Sequence, residues 1–179
     1  MEYIPVKTRI VKPPQDDLFA VLKDSLPTLK ERDIVLISSK IVAIGEGNCI
    51  PVSEVDKTEL VNKESELNVP REYWGSSLTV KHGAFIGTAG IDESNADNHY
   101  VLLPKKPFDS AKTLHEFLSN QFNLKELGIV ITDSHSTPLR RGAMGVSIGW
   151  WGFKPTINHV GEEDIFGLEL KIEVTNLVD

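Results

Sequence analysis

One short stretch constrains this chain more than any other: LGIVITDS, residues 127–134. A continuous apolar run without polar alternation is the pattern of a strand buried on both faces, in the middle of a sheet. This run ends in a carboxylate, Asp133, with paired arginines, Arg140 and Arg141, shortly after it. Other segments supply its neighbours. DIVLISSKIV reads as a second buried strand running into Ser38, Ser39 and Lys40. GVSIGWWGF reads as a third strand, and SSLTVKHGAFIGTAGI and YVLLP as shorter ones.

Helical segments alternate with these strands. In DDLFAVLKDSLPTL, Leu18, Leu22 and Leu26 recur at helical spacing, Asp16 and Asp17 stand at the N-terminal end and Pro27 marks the stop. VSEVDKTELVNKESELNVPREYWG is polar and reads as helix plus loop, with a boundary near Pro70. In DSAKTLHEFLSNQF, Ala111, Leu114, Phe117 and Leu118 trace one face, with Asp109 or Ser110 expected to cap it. GLELKIEVTNLV alternates Leu168, Leu170, Ile172 and Val174 with polar residues, the pattern of a half-exposed strand. The class is therefore α/β (α+β), a mixed sheet with flanking helices, over one domain spanning residues 1–179.

Bulk properties remove several function classes. No run approaches the roughly 18 apolar residues of a membrane span, and MEYIPVKTRIVKPP lacks a signal-peptide pattern. The net charge of −7 argues against general nucleic-acid binding, though not against a small anionic substrate. The single cysteine, Cys49, has no partner for an internal disulfide and fits a reducing cytoplasm.

Polar chemistry collects at strand ends. Three ends stand out: Ser38-Ser39-Lys40, Asp92-Glu93-Ser94-Asn95 and Asp133-Ser134, the second aspartate forty-one residues after the first. Carboxylates with hydroxyl and amide neighbours are hard oxygen ligands, suited to Mg²⁺ or Mn²⁺ rather than zinc. Lys40 offers a point charge for phosphate, and Arg140 and Arg141 offer planar forks for phosphate or carboxylate. Each residue also has an ordinary reading, because Asp, Ser and Asn after a strand often only cap a helix or stabilise a turn. The histidines lack metal-ligand spacing, with His135, beside Asp133, the one worth testing. No P-loop occurs, and GTAG is too short for a dinucleotide fingerprint. Spacing alone supports a divalent-metal, phosphate-handling site.

The motifs together say more. VLISSKIVAIGEG, GTAGIDESN, ITDSHSTPLRRG…GVSIGWWG and VGEEDIFGLELK stand in the order seen in the γ-glutamyl ligases that extend the tail of the deazaflavin coenzyme F(420). The chain resembles that family over its whole length, and is more similar still to bacterial relatives described as folate-metabolism γ-glutamate ligases. The resemblance implies a γ-glutamyl ligase-like fold and nucleotide-driven amide formation. GTP or ATP would phosphorylate an acceptor carboxylate, folate-like or deazaflavin coenzyme-like, and the amine of L-glutamate would displace the phosphate. It puts the divalent cations on Asp92, Asp133 and Ser134, and the nucleotide on Ser39, Lys40 and Asn95. The residues it sets at the reacting atoms are Asp92, Asp133 and Arg140. A homodimer is implied as well, and a ligase-like module that binds nucleotide and metal without turnover is the alternative.

Two departures qualify the resemblance. Where the coenzyme ligases carry a second lysine after S-K-I-V-S, Ile44 stands here. In longer relatives the strand matching KIEVTNLVD continues into a helix and a further nucleotide contact, while this sequence stops at Asp179. The expectation is a fragment, a shortened product, or a short member that completes its site from another subunit. Turnover in isolation would then be low.

Overall fold

The computed structural model describes residues 2–70, 77–136 and 141–179. Its organising unit is a three-stranded mixed sheet in the order β1-β7-β8, where β1 is Ile34–Ser38, β7 Gly128–His135 and β8 Met144–Trp151. The apolar run of the sequence is thus the central strand. β1 runs parallel to β7, from Ile34 beside Gly128 to Ser38 beside Thr132. β8 runs antiparallel to β7, and the register slips between Ile131 and Thr132. Before the slip, Gly128, Ile129, Val130 and Ile131 are all buried; after it, Thr132 and Asp133 are only partly covered. The bulge therefore separates a core half of the strand from a site half, a common use of this irregularity.

Helices α1 (Leu18–Ser25) and α4 (Pro107–Phe122) cover this sheet. Leu18 and Leu22 of α1, Ala111, Leu114 and Leu118 of α4, and Val35, Ile37, Ile129, Ile131 and Ile148 of the sheet form one apolar cluster. Asp17 caps α1 by accepting from the Ala20 N–H at 3.0 Å. The caps expected for α4 are not the ones used. The helix starts at Pro107, whose fixed φ suits the first helical position, with Lys106 before it and Asp109 in the first turn. Ser110 does not cap it; its one hydroxyl proton is shared between the Glu46 carboxylate and the Lys106 carbonyl. Asn123, at φ 53°, closes the other end.

α2 (Ser39–Gly45) follows β1 without a break, so Ser39 and Lys40 sit in its first turn. β2 (Cys49–Pro51) pairs antiparallel with β6 (His99–Val101). α3 (Lys57–Glu64) lies over a second apolar cluster of Leu60, Val61, Ala89, Ile91, Tyr100 and Leu102. The Asp56 carboxylate caps α3, accepting from the N–H groups of Thr58 at 2.8 Å and Glu59 at 3.1 Å. Removing it in Asp56→Ala should cost about 1 kcal/mol, read from the midpoint of a urea titration. β3 (Leu67–Val69), β4 (Leu78–Lys81) and β5 (Ala84–Gly87) form an antiparallel sheet.

The C-terminal alternation does not make one long strand. Only Val174–Asn176 (β10) pairs regularly, with Thr156–Asn158 (β9). Between them the chain turns sharply: Gly167 takes φ 81°, and Asp164 Oδ1 accepts from the N–H groups of Phe166 and Leu168 at 2.8 and 2.9 Å. An Asx turn has taken the backbone donors that a strand would need. The tryptophans divide: Trp150 packs edge-on against Phe108, ring centroids 4.7 Å apart, while Trp151 stays partly exposed beside Lys112. No helix among the described residues is long and apolar enough to cross a membrane.

Candidate metal and phosphate site

Two strands that run parallel and in register end at the same edge of their sheet. The residues just past those ends, Ser39-Lys40 after β1 and Asp133-Ser134 near the end of β7, are therefore neighbours in space. The third element arrives from the other side of the chain. After β5, Thr88, Ala89 and Gly90 all take positive φ, at 51°, 53° and 70°. The buried Thr79 hydroxyl anchors this turn: it donates to the Ile86 carbonyl and accepts from the Ala89 N–H at 2.7 Å. A Cβ on Gly90 would fall 2.6 Å from Leu103 Cγ, so glycine is required there on both counts. The turn delivers Asp92 to an isolated bridge with Val101, bonded in both directions at 2.9 and 2.8 Å.

These three ends enclose a cavity of about 320 Å³, lined by Ser38, Ser39, Lys40, Asp92, Thr132, Asp133 and Ser134 with Gly90, Val101 and Leu102. Lys40 reaches across it. Its ammonium lies 2.6 Å from Asp92 Oδ2, and it donates to the Ser94 carbonyl at 2.7 Å and the Ser94 hydroxyl at 3.3 Å. Asp92 Oδ1 accepts from the Ser94 N–H and hydroxyl, both at 2.8 Å. Burial pushes the Asp92 carboxyl up, but the Lys40 bond and the two Ser94 bonds together outweigh it, and the net shift is downward. Asp133 shifts the opposite way. Burial raises it most; the Ser134 N–H, at 2.8 Å, and a contact from the buried Ser39 hydroxyl pull it back, and the Asp92 charge raises it again. The two carboxylates are thus shifted in opposite directions, Asp92 by its bonds to Lys40 and Ser94 and Asp133 chiefly by burial.

The expected residues are not all in this cavity. Asp92, Asp133, Ser134, Ser39 and Lys40 line it together. Asn95 does not; it is exposed in the adjoining turn at φ 53°. Arg140 lies outside the described residues, and Arg141 is exposed and does not line the cavity. His135 turns away, its Nδ1 3.1 Å from the Phe85 carbonyl. Ser38, named with Ser39 and Lys40 as a polar strand end, does line the cavity. Sequence reasoning passed over Thr132 as a lining residue and Ser94 as the clamp on Asp92. The signal for Thr132 was its place immediately before Asp133. Ser94 stands two residues after Asp92, the spacing of an Asx turn.

Among the described residues no group of three or more His, Cys, Asp or Glu side chains converges. A divalent ion here would rest on two carboxylates completed by hydroxyls and water, which suits Mg²⁺ or Mn²⁺, since such ions keep several waters. The donor set fits a hard dication, and it does not fit zinc. A larger cavity of about 780 Å³ lies elsewhere, bounded by α1, α2 and α4. Its acidic residues are already engaged: Asp16 pairs with Arg9 at 2.7 Å, Asp17 caps α1, Glu46 accepts from Ser110 and from the Lys105 N–H, and Asp109 lies 3.8 Å from the Lys106 ammonium.

The fold is of the α+β class, with two carboxylates and a lysine meeting at converging strand ends, where such enzymes carry their polar chemistry. Residues 5–179 match the family F420-0:Gamma-glutamyl ligase, and the chain belongs to that family of amide-forming ligases. Similar proteins named Coenzyme F420:L-glutamate ligase include that of Methanopyrus kandleri, 30% identical over the whole of this chain and 77% of its own length. That of Methanococcus maripaludis strain C7 is 31% identical over the whole chain and 78% of its own length. That of Methanothermobacter thermautotrophicus is 30% identical over 86% of this chain and 68% of its own.

Proposed function

We propose that this protein is a nucleotide-dependent γ-glutamate ligase. The observation that carries the reading is one 320 Å³ cavity in which Asp92, Asp133 and Lys40 meet from three separate segments. Asp92, Asp133 and Ser134 would hold Mg²⁺ or Mn²⁺, which when bound neutralises the charge of a transferring phosphoryl group. Lys40 supplies a mobile cation for phosphate oxygens, and the Ser38, Ser39 and Thr132 hydroxyls line the floor around them. The family resemblance would add Asn95 as a nucleotide contact and Arg140 at the reacting carboxylate, although Asn95 does not line the cavity and Arg140 lies outside the described residues.

The reaction follows from this chemistry. An acceptor carboxylate oxygen attacks the terminal phosphorus of GTP or ATP, the bond to the diphosphate breaks, and an acyl phosphate forms. The glutamate amine, having lost a proton, attacks the carbonyl carbon, and the carbon–oxygen bond to phosphate breaks to leave an amide. Positioning and charge neutralisation are the protein's contribution, because phosphoryl transfer asks little covalent help of it. The relatives' names favour a deazaflavin coenzyme-like acceptor over a folate-like one. A single cysteine fits a cytoplasmic setting. Ile165, Phe166 and Ile172, exposed at 91%, 88% and 89%, favour a homodimer that covers them.

The test is a turnover assay with Mg²⁺ or Mn²⁺, each nucleotide, L-glutamate and each acceptor class. Amide product and free phosphate should appear together and only with all components present. Metal and nucleotide binding without any amide, for either acceptor, would favour the non-catalytic module instead.

A further inference from the structure

The Asp92 carboxylate carries a cation already. Its Oδ2 lies 2.6 Å from the Lys40 ammonium, and its Oδ1 is taken by two bonds from Ser94. Lys40 is equally committed. An ammonium has three donors, and this one meets Asp92 Oδ2, the Ser94 carbonyl and the Ser94 hydroxyl, all on one loop. The lysine side chain is 23% exposed, so water competes weakly for it. Among the described residues Asp133, facing the same cavity, makes no ion pair: it takes the Ser134 N–H and a contact from the Ser39 hydroxyl, and feels Lys40 only through its charge.

We propose that Lys40 is the built-in counter-ion of Asp92, a placeholder that a divalent cation must displace, and that the released ammonium then turns to the nucleotide's phosphates. The inference rests on the reading of Asp92 and Asp133 as the metal-holding pair. Its physical basis is mutual exclusion. A dication on Asp92 needs the lone pairs that face the ammonium, and the two positive charges repel at contact distance. Metal alone is therefore penalised, because it evicts Lys40 from three acceptors and offers none in return. Metal with nucleotide is not penalised, since phosphate oxygens accept the displaced ammonium. One side chain thus couples the two ligands, and the coupling must be reciprocal.

Two measurements on the full chain test this. In a calorimetric Mn²⁺ titration without nucleotide, Lys40→Met should bind the metal about three- to tenfold more tightly than wild type. A non-hydrolysable GTP or ATP analogue should tighten Mn²⁺ binding to wild type and lose that effect in Lys40→Met. In the second measurement, the wild-type protein is treated with an amine-acylating reagent and mapped by mass spectrometry. Mn²⁺ alone should speed labelling of Lys40, because it frees the amine. Equal or weaker Mn²⁺ binding by Lys40→Met, beside measurable binding by wild type, overturns the placeholder role; so does labelling that Mn²⁺ leaves unchanged or slows. Should wild type and Lys40→Met both fail to bind Mn²⁺, the metal site itself is refuted and the placeholder goes with it.

Discussion

Asp133→Asn is expected to cut ligase turnover by about a thousandfold while making the protein more stable at neutral pH. The loss follows from the site: one of two facing carboxylates disappears, and with it the charge that would hold a hard dication. The gain follows from burial. Asp133 is pushed upward chiefly by desolvation and then by Asp92, so its charged form is disfavoured in the folded state. Asparagine keeps an oxygen for the Ser134 N–H without the charge. The pH dependence has a definite sign. A carboxyl whose folded pKa lies above its unfolded value binds more protons folded than unfolded between the two, so stability falls as pH rises through that window. The penalty is complete above the folded pKa and absent below the unfolded one. The advantage of Asp133→Asn at pH 7 should therefore shrink to nothing in acid. Asp92, whose pKa is lowered, works in the opposite sense: its contribution is present above the unfolded value and is lost as pH falls through the folded one. Urea titrations of wild type and Asp133→Asn across pH 3–8 would read both. A variant less stable than wild type at pH 7 would contradict the account.

Gly152→Ala should be the most damaging of the glycine-to-alanine changes among the described residues, costing about 3–5 kcal/mol and lowering the yield of folded protein. Gly152 follows β8 at φ 93°, outside the range an L side chain adopts without strain. A Cβ there would fall on the Leu127 carbonyl oxygen and within 2.8 Å of His115 Cδ2. Rotating the histidine could relieve the second contact. The first is backbone, at the entrance to the central strand, and cannot move without moving β7. Gly87→Ala serves as the control, since a Cβ there meets nothing within 4 Å and φ is −69°. The pair, compared by denaturant midpoint, should differ by nearly the whole penalty. A Gly152→Ala protein within 1 kcal/mol of wild type would show that the β8 turn is softer than its geometry.

What could be read from the sequence was whatever hydrophobic pattern controls. The apolar runs at 34–38 and 128–131 were legible as strands, and the residues beside their ends as Ser39, Lys40 and Asp133. The first is not the buried strand expected: β1 is an edge strand of this sheet, with Ile34 and Leu36 exposed and only Val35 and Ile37 in the core. Asp92 was legible as an acid after a glycine, yet nothing local showed the route to its position. That route passes through three consecutive positive-φ residues and the buried hydroxyl of Thr79, and propensity does not register either. Ser94 was quoted as a motif residue but not as the partner of Asp92 and Lys40, because the Lys40 bond spans fifty-four positions. The alternation at 168–174 misled for a different reason. Period 2 reports sidedness only where a neighbouring strand supplies a ladder, and Asp164 and Gly167 had already turned the chain back on itself. Helix α4 was placed correctly along its length and wrongly at its start, where Pro107 displaced the expected polar cap.

The parallel pairing of β1 with β7 also dictates when the site can exist. Ile34 and Gly128, the first partners in that register, are ninety-four positions apart, and a parallel pair cannot be closed by a hairpin. Closing so long a loop carries an entropic cost before any contact repays it, which makes such pairings late events in folding. Until β1 and β7 align, Lys40 and Asp133 belong to distant stretches of an open chain, and a dication finds single carboxylates with no mutual geometry. An ion held by Asp92 and Asp133 would therefore not nucleate folding: refolding is expected to run at the same rate with or without Mn²⁺, while unfolding slows with it, since contacts formed after the transition state act on the unfolding rate.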